Sequence, residues 1–284
     1  MADPLDAITI SIVDTAARGD ALGPAALTFL LRSYQAADRP ELGETIGLAL
    51  ARALAEYEDE PATVARAAWL RVFAEAAAIS EDERLIAAVR SLAAALVEEW
   101  PRAVLVAETS MSIEACLLAA RLDDSLTLIP QAIDALERVV GAAYRPGVGV
   151  AHRVDAKPHA RGGLSDHVCA ASALLTAFEA CGRLPYSMLA EELMRLSSEE
   201  IERERDVALT SDAARVLCRL AALHDDESYR GAAVIASDAD YHDDARRLLD
   251  RAASLVDGRD VSAAIYGLAL GEWRARSRAG AKTP

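Results

Sequence analysis

Two kinds of helical segment alternate along this chain, and this alternation most constrains how it can fold. One kind is apolar on nearly every side, as in AALTFLLRSY from Ala25 and DHVCAASALLTAF from Asp166. The other is amphipathic with a charged outer face, as in DERLIAAVRSLAAALVEEW and HDDARRLLDRAASL. A helix that is hydrophobic all round must be buried all round, whereas an amphipathic helix lies between a core and water. The pattern therefore predicts an inner layer of buried helices covered by an outer layer.

The spacing of the apolar segments predicts a helical repeat. They begin near positions 25, 62, 112, 166, 210 and 261, so each step is about one helical hairpin long. The amphipathic segments, with Leu5 to Ala17 as the sixth, would be their outer partners. We expect an all-α protein, a closed (α/α)6 toroid of about twelve helices in a single domain over residues 1–284. An open α-solenoid is the alternative, although its last repeat should be polar on its outer face.

Composition narrows the class of function. The net charge is −15 and aromatic residues make up 5% of the chain. Nucleic-acid binding needs clustered positive charge, so neither nucleic acid nor an anionic membrane is an expected partner. Alanine and leucine dominate the apolar content, which favours helices over strands. The only strand-like stretch is GVGVAHRV, residues 147–154.

Targeting and cysteine patterns favour a cytoplasmic location. The segment MADPLDAITI lacks the features of a signal peptide, and no apolar run is long enough to span a bilayer. The four cysteines form no CxxC motif and are interpreted as structural thiols.

A motif in the fourth apolar helix resembles a known group of proteins. The pattern D-x-x-x-A-A-x-A-L-L-x-A-F-E-A-x-G-x-L-x-Y, Asp166 to Tyr186, resembles the hairpin signature of six-hairpin toroid proteins. These include unsaturated glucuronyl hydrolases, N-acylglucosamine 2-epimerases and the thioredoxin-fused, spermatogenesis-associated group. The last is the most similar, because SIEACLLAARLDDSLTLIPQAIDALERVV and a following glycine-rich loop come in a similar order. The thioredoxin-like domain of that group has no counterpart in this sequence.

The resemblance implies a central funnel with carboxylates or histidines at the mouths of the inner helices. By motif, only Asp166 is carried over, as a general acid or base with His167 beside it. Glu114 is a further candidate, because it is the only charge in SIEACLLAA and could complete the pair of carboxylates that sugar hydrolysis needs. The alternative for Asp166, with Ser165, is a helix cap, and the alternative for Glu114 is an ion pair with Arg121 or with an arginine of a neighbouring helix.

The irregular stretch from Tyr144 to Leu164 is the candidate ligand-binding loop. It concentrates positive charge, and its residues His152, Arg153 and Arg161, with Lys157 and His159, could contact an anionic sugar or carboxylate. A mobile polar connection is the alternative. No metal-ligand spacing is present, so neither metal nor cofactor is expected, and His224 and His242 are interpreted as surface residues.

Two functions from different classes agree with this sequence. The first is a non-catalytic binding or interaction module that keeps a toroid fold, with a sugar, another small anionic ligand or a protein as its partner. The second is a carbohydrate-active enzyme, a glycoside hydrolase or sugar epimerase, that uses Asp166, Glu114 and His167. The small number of aromatic residues favours the first, because sugars commonly stack on aromatic rings.

Overall fold

The fold is all-α. A computed structural model of the chain describes residues 3–37, 39–121, 127–157, 160–233, 235–256 and 261–280. Within those residues nearly all regular structure is helical, with one two-stranded hairpin. The predicted class is therefore confirmed.

Fourteen α-helices occur in the described residues, with three short 3-10 turns between them. In chain order they are α1 (Pro4–Ala17), α2 (Pro24–Ala37), α3 (Leu42–Glu56), α4 (Thr63–Ser80), α5 (Glu83–Glu99), α6 (Val106–Ala119), α7 (Leu128–Ala143), α8 (Leu164–Cys181), α9 (Leu184–Leu196), α10 (Ser198–Arg203), α11 (Val207–Asp225), α12 (Glu227–Ala233), α13 (Tyr241–Leu255) and α14 (Ala264–Gly280).

Six of these helices, here called the inner helices, form a continuous packed series. They are α2, α4, α6, α8, α11 and α14; each packs against the next, and α14 also packs against α2. The outer helices α1, α3, α5, α7, α9 and α13 cover them. The apolar segments of the sequence are the inner helices, so the two predicted layers are present.

The difference between the layers follows from their side chains. In α8, eleven residues are buried and they are distributed around the helix, as in α6. In α13, by contrast, burial is confined to one face, formed by Tyr241, Ala245, Leu248, Leu249 and Ala252. Gly182 ends α8 in the left-handed conformation with φ 71°, which glycine adopts without steric cost.

The hairpin lies at the N-terminal ends of α6 and α8. Strands β1 (Tyr144–Arg145) and β2 (Gly149–Val150) pair antiparallel. Beyond them Arg153 forms a β-bridge with Leu105, and the Val106 amide donates to the His152 carbonyl at 3.0 Å. The strand-like stretch of the sequence is thus extended chain that fixes the start of α6.

The helix boundaries show where the sequence pattern was misleading. Helix α6 begins at Val106, six residues before the predicted start at Ser112. The segment MLAEELMRLSSEEIERE, residues 188–204, has the pattern of one amphipathic helix but is divided into α9 and α10 at Ser197. Helix α12 was not predicted at all.

Candidate functional site

Asp166 is part of the cap of α8. The N-cap residue is Gly163, and Asp166 sits three residues later, where its Oδ2 accepts from the Gly163 amide at 2.9 Å. Both carboxylate oxygens also lie 3.1 Å from His152 Nδ1. Asp166 is 3% exposed, whereas the His152 side chain is 61% exposed. The capping alternative from the sequence is therefore present in the structure, although Gly163, and not Ser165, occupies the cap position.

His167 is fully buried and holds the hairpin to the helices. Its Nδ1 lies 2.6 Å from Ser197 Oγ, and its Nε2 lies 3.2 Å from both the amide nitrogen and the carbonyl oxygen of Val150. Burial lowers the pKa of His167, so its imidazole is neutral at pH 7. Gly149 lies against the ring with φ 100°, and a Cβ there would lie 2.4 Å from Nε2. Both ring nitrogens of His167 thus already have protein partners.

The basic residues of the loop have partners within the chain. Arg153 forms two hydrogen bonds to Asp155, at 2.8 and 2.9 Å. Arg161 donates to the Leu196 carbonyl at 2.8 Å and pairs with Glu200 at 3.1 Å. None of these groups lines the cavity between the inner helices that is described below.

One basic residue of the predicted loop cannot be placed. His159 lies outside the described residues.

Glu114 is buried between four inner helices. Its Oε1 accepts from Ser172 Oγ at 2.7 Å and from Thr176 Oγ1 at 3.2 Å, both on α8. Arg71 of α4 and Arg219 of α11 lie 3.7 and 3.6 Å from its carboxylate oxygens. Burial alone would raise the pKa of Glu114, but the two arginines and the Ser172 hydroxyl outweigh it, and the pKa is below its ordinary value. Glu114 therefore has the arginine partners of the ion-pair alternative, and they come from neighbouring helices, whereas Arg121 pairs with Glu179.

Glu114 and Asp166 do not face one point. Ser172, which contacts Glu114, follows Asp166 by six residues, or about 9 Å along the axis of α8. Asp166 bonds the segment outside the helix start, whereas Glu114 bonds the middle of the helix. The structure thus brings together Asp166 with His152, but it does not bring together the two predicted carboxylates.

A group of paired charges, here called the central belt, connects four inner helices. It consists of Arg32 on α2, Glu75 on α4, Arg215 on α11 and Glu272 on α14. Arg32 binds Glu75 through two hydrogen bonds, at 3.1 and 2.7 Å, and also pairs with Glu272. Arg215 reaches Glu272 at 2.9 and 3.1 Å. Burial would raise the pKa of Glu272, but Arg215 and Arg32 lower it to about 2.

A cavity of about 140 Å³, here called the central cavity, lies next to the belt, among the N-terminal halves of α2, α4, α6, α11 and α14. Its polar lining comprises Thr28, Arg71, Asp212 and Arg215. Its apolar lining includes small and aliphatic side chains: Ala25, Ala67, Ala68, Met111, Ile265 and Leu268.

Asp212 and Arg71 are poorly satisfied compared with the belt. The Asp212 carboxylate has its nearest cation, Arg215 Nη1, at 3.4 Å, and 48% of its side-chain surface is accessible. Burial raises the pKa of Asp212, against the opposing effects of Arg215 and Arg71. Arg71 has one ion-pair contact, at 3.7 Å from Glu114, and is 22% exposed. Within the described part of the chain, no closer hydrogen bond is formed by Arg71.

The Cys169 thiol belongs to the same neighbourhood. Burial, with the nearby charge of Asp212, raises the pKa of Cys169 to about 12. A thiol with that pKa stays protonated at pH 7 and is a poor nucleophile. The thiol therefore adds no nucleophile beside the charged groups Arg71, Asp212 and Arg215 that line the central cavity.

Sequence reasoning missed Arg71 and Asp212, although a signal was present. Arg71 lies four residues before Glu75, and Asp212 lies three before Arg215, so each pair shares one helix face in an otherwise apolar segment. The argument applied to Glu114, that a charge in an apolar helix needs a partner or a cavity, applies equally to them.

A second, larger cavity is lined mainly by residues outside the inner helices. It measures about 910 Å³ and is lined mainly by α9, α10, α13 and the segment 235–239. Buried Glu191 fixes that segment by accepting from the amides of Ile235 and Ala236 and from the Tyr241 hydroxyl, all at 3.0 Å. The lining mixes three arginines with four acidic residues, so it favours no single charge of ligand.

Neither a metal site nor a membrane-spanning helix is found among the described residues. In the ranges that the structure describes, no three or more His, Cys, Asp or Glu side chains are placed to hold a metal ion. None of the described helices combines the length and apolarity needed to cross a membrane. No protein-family model matches the chain, and no curated protein matches its sequence.

Proposed function

We propose that this chain is a closed six-hairpin toroid that acts as a non-catalytic binding module, with a small polar ligand in the central cavity. The packing of α14 on α2 supports closure, since an open solenoid leaves its first and last repeats apart. The Arg32–Glu272 ion pair joins the same two helices.

The observation that carries the proposal is the incomplete satisfaction of Arg71 and Asp212. Buried charges are usually paired and hydrogen-bonded, because an unpartnered charge loses its hydration without compensation. The neighbouring belt meets that rule. Of the two charges that line the cavity, Arg71 is 22% exposed and has one ion-pair contact, at 3.7 Å, whereas the Asp212 side chain is 48% accessible and accepts one long hydrogen bond from Arg215 at 3.4 Å. A ligand in the cavity would give both charges closer partners.

Binding is favoured over catalysis by the number and placement of carboxylates. Sugar hydrolysis uses two carboxyl groups on either side of the bond that breaks. The central cavity is lined by one, Asp212, while Asp166 caps α8 and Glu114 is bound by hydroxyls and arginines. The cavity volume of about 140 Å³ is also below the range of roughly 300–1,000 Å³ that is usual for larger ligands.

A carbohydrate-active enzyme is the second candidate, and Asp212 is the observation that favours it. A carboxyl group with a raised pKa that faces a cavity can act as a general acid. In that case Asp212, and not Asp166, would be the acid, and Asp212→Asn would abolish turnover of a sugar substrate.

The test is a thermal-shift screen of neutral and acidic monosaccharides and small organic acids. A ligand at about 100 times its dissociation constant stabilises a protein by about 2.7 kcal/mol. The matched variants are Ala68→Leu, which fills the cavity, and Ala94→Leu, which adds the same group at an exposed position of α5. We expect a shift in the wild type and in Ala94→Leu that is lost in Ala68→Leu.

Nuclear magnetic resonance spectra of the bound compound separate the two candidates. An unchanged ligand after long incubation supports binding alone. Conversion of a sugar would instead establish the enzyme, and a shift that Ala68→Leu retains would remove the central cavity from the proposal.

A further inference from the structure

The polar groups of the central cavity indicate what kind of ligand would fit, and this step rests on the proposed function. Arg71 offers a guanidinium whose nearest carboxylate oxygen, on Glu114, is 3.7 Å away, beyond hydrogen-bonding distance. A guanidinium has five N–H donors, and its planar arrangement suits a carboxylate that binds through both oxygens. The Arg71 side of the cavity therefore selects a carboxylate.

Asp212 suits a ligand group of the opposite kind, a hydrogen-bond donor. Its carboxylate accepts one long hydrogen bond, from Arg215 at 3.4 Å, and the Arg215 guanidinium is also bound through shorter contacts to Glu272. Nearly half of the Asp212 side-chain surface is accessible. The Asp212 side of the cavity therefore selects a hydrogen-bond donor, such as an ammonium or a hydroxyl group.

Size and the remaining lining limit the rest of the ligand. A volume of 140 Å³ corresponds to about five water molecules of 30 Å³ each. The apolar part of the cavity lining carries methyl and short aliphatic groups, among them Ala25, Ala68 and Leu268. A short apolar substituent fits such walls, whereas a sugar ring with hydroxyls on every side would leave several of them unpaired.

We propose that the central cavity binds a small 2-amino or 2-hydroxy acid, with its carboxylate on Arg71 and its amino or hydroxyl group near Asp212. The two sources share the same chemistry, a carboxylate and a donor on adjacent carbons.

Isothermal titration calorimetry tests the proposal with four probes of similar size. L-alanine and L-lactate carry both groups, propionate lacks the donor and glycerol lacks the carboxylate. Because a hydrogen bond to a charged group contributes about 1.5–3 kcal/mol, we expect propionate and glycerol to bind at least about tenfold more weakly. Propionate or glycerol binding as tightly as both acids would overturn the proposal.

Variants assign the two ends of the ligand. Arg71→Gln should weaken both acids by about tenfold or more. Asp212→Asn should weaken L-alanine more than L-lactate, because an amide can still accept from a hydroxyl but gives an ammonium no counter-charge. Arg195→Gln, at an exposed arginine outside the central cavity, is the control and should change neither affinity. Unchanged binding of both acids by folded Arg71→Gln would overturn the assignment.

The outcomes distinguish this proposal from the function on which it rests. If a sugar or polyol binds and Ala68→Leu prevents it, the cavity binds a ligand but the ligand class is wrong. If none of the four probes and no member of the wider screen binds, both proposals fail. Should Arg71→Gln not fold, the comparison among the four probes and the Ala68→Leu variant still decides the matter.

Discussion

Two groups of charges lie between the inner helices, and they differ in how well they are satisfied. In the central belt Arg32, Glu75, Arg215 and Glu272 share several short hydrogen bonds across four helices. Arg71 and Asp212, close by, have contacts of 3.7 and 3.4 Å only. Arg71 also balances the charge of buried Glu114, but it lines the cavity together with the accessible Asp212 carboxylate. The comparison therefore separates groups that hold the fold from groups that are available to a ligand.

Removing a belt carboxylate gives the largest expected effect. Glu272→Gln leaves Arg32 and Arg215 without their shared counter-charge, and breaking a buried pair in this way costs about 3 kcal/mol of unfolding free energy. Urea denaturation measures the loss. The control is Glu199→Gln, which removes an exposed pair with Arg203 and should cost no more than about 0.5 kcal/mol. Equal losses in the two variants would contradict the structural role of the belt.

The pH dependence of the stability that Glu272 contributes gives a second test, with an expected effect of nearly the same size. The folded pKa of Glu272 is about 2, below its ordinary value of 4.5, so its ionised form stabilises the fold. That contribution, about 3 kcal/mol, is complete above pH 4.5 and is lost as the pH falls towards 2. The difference in unfolding free energy between wild type and Glu272→Gln should therefore shrink below pH 4.5. A difference that stays constant down to pH 3 would show that Glu272 is not held by its arginines.

A change at the cap of α8 should have an intermediate effect on stability and none on ligand binding. Asp166→Ala removes the acceptor of the Gly163 amide and the partner of His152, so we expect a loss of about 1–2 kcal/mol. Ser165→Ala, at the exposed neighbour, should stay within about 0.5 kcal/mol. Loss of ligand binding by Asp166→Ala at unchanged stability would instead support Asp166 as a functional residue.

The smallest expected effect is a gain in stability, whereas the variants above lose stability. The pKa of Asp212 in the folded protein is above its ordinary value of 3.8. Protonated Asp212 therefore stabilises the fold below pH 3.8, and this stabilisation is lost as the pH rises through the folded pKa. At pH 7 the ionised Asp212 therefore weakens the fold, and Asp212→Asn should raise Tm by about 1–2 °C. The gain should vanish below pH 3.8, as differential scanning fluorimetry can show. A fall in Tm at pH 7 would mean that Asp212 is as well satisfied as the belt.

The sequence predicted the layers of this fold better than its interruptions. Apolar and amphipathic periodicity depends on each helix alone, and it located all six inner helices. The break between α9 and α10 depends on Ser197, whose hydroxyl contacts His167 on another helix. The start of α6 likewise depends on the bridge between Leu105 and Arg153. Contacts of this kind join distant parts of the chain, so a local sequence pattern does not predict them.

The candidate site was harder to predict for the same reason. Asp166 and Glu114 were chosen because each is conspicuous in its own segment, and the sequence does not show that Glu114, on α6, contacts α8 six residues beyond Asp166. His224, which the sequence placed on the surface, is 13% exposed and lies 3.1 Å from buried Glu191. The surface interpretation of His224 is therefore wrong, because the residue that draws it inward is on a different helix. A catalytic role for any of the predicted residues stays a prediction.

The contact between α2 and α14 has a consequence for the order in which the molecule is assembled. Arg32 and Glu272 are separated by 240 positions, so the pair can form only after all the residues between them have been synthesised. Until then Arg32 has Glu75 as a partner, but the series of inner helices has an open edge between α2 and the most recent helix. Closing so long a segment costs conformational entropy and slows folding. Until α14 has been synthesised, the apolar sides of α2 and α11 that it covers are exposed to solvent. In this interval the nascent protein most needs protection from aggregation.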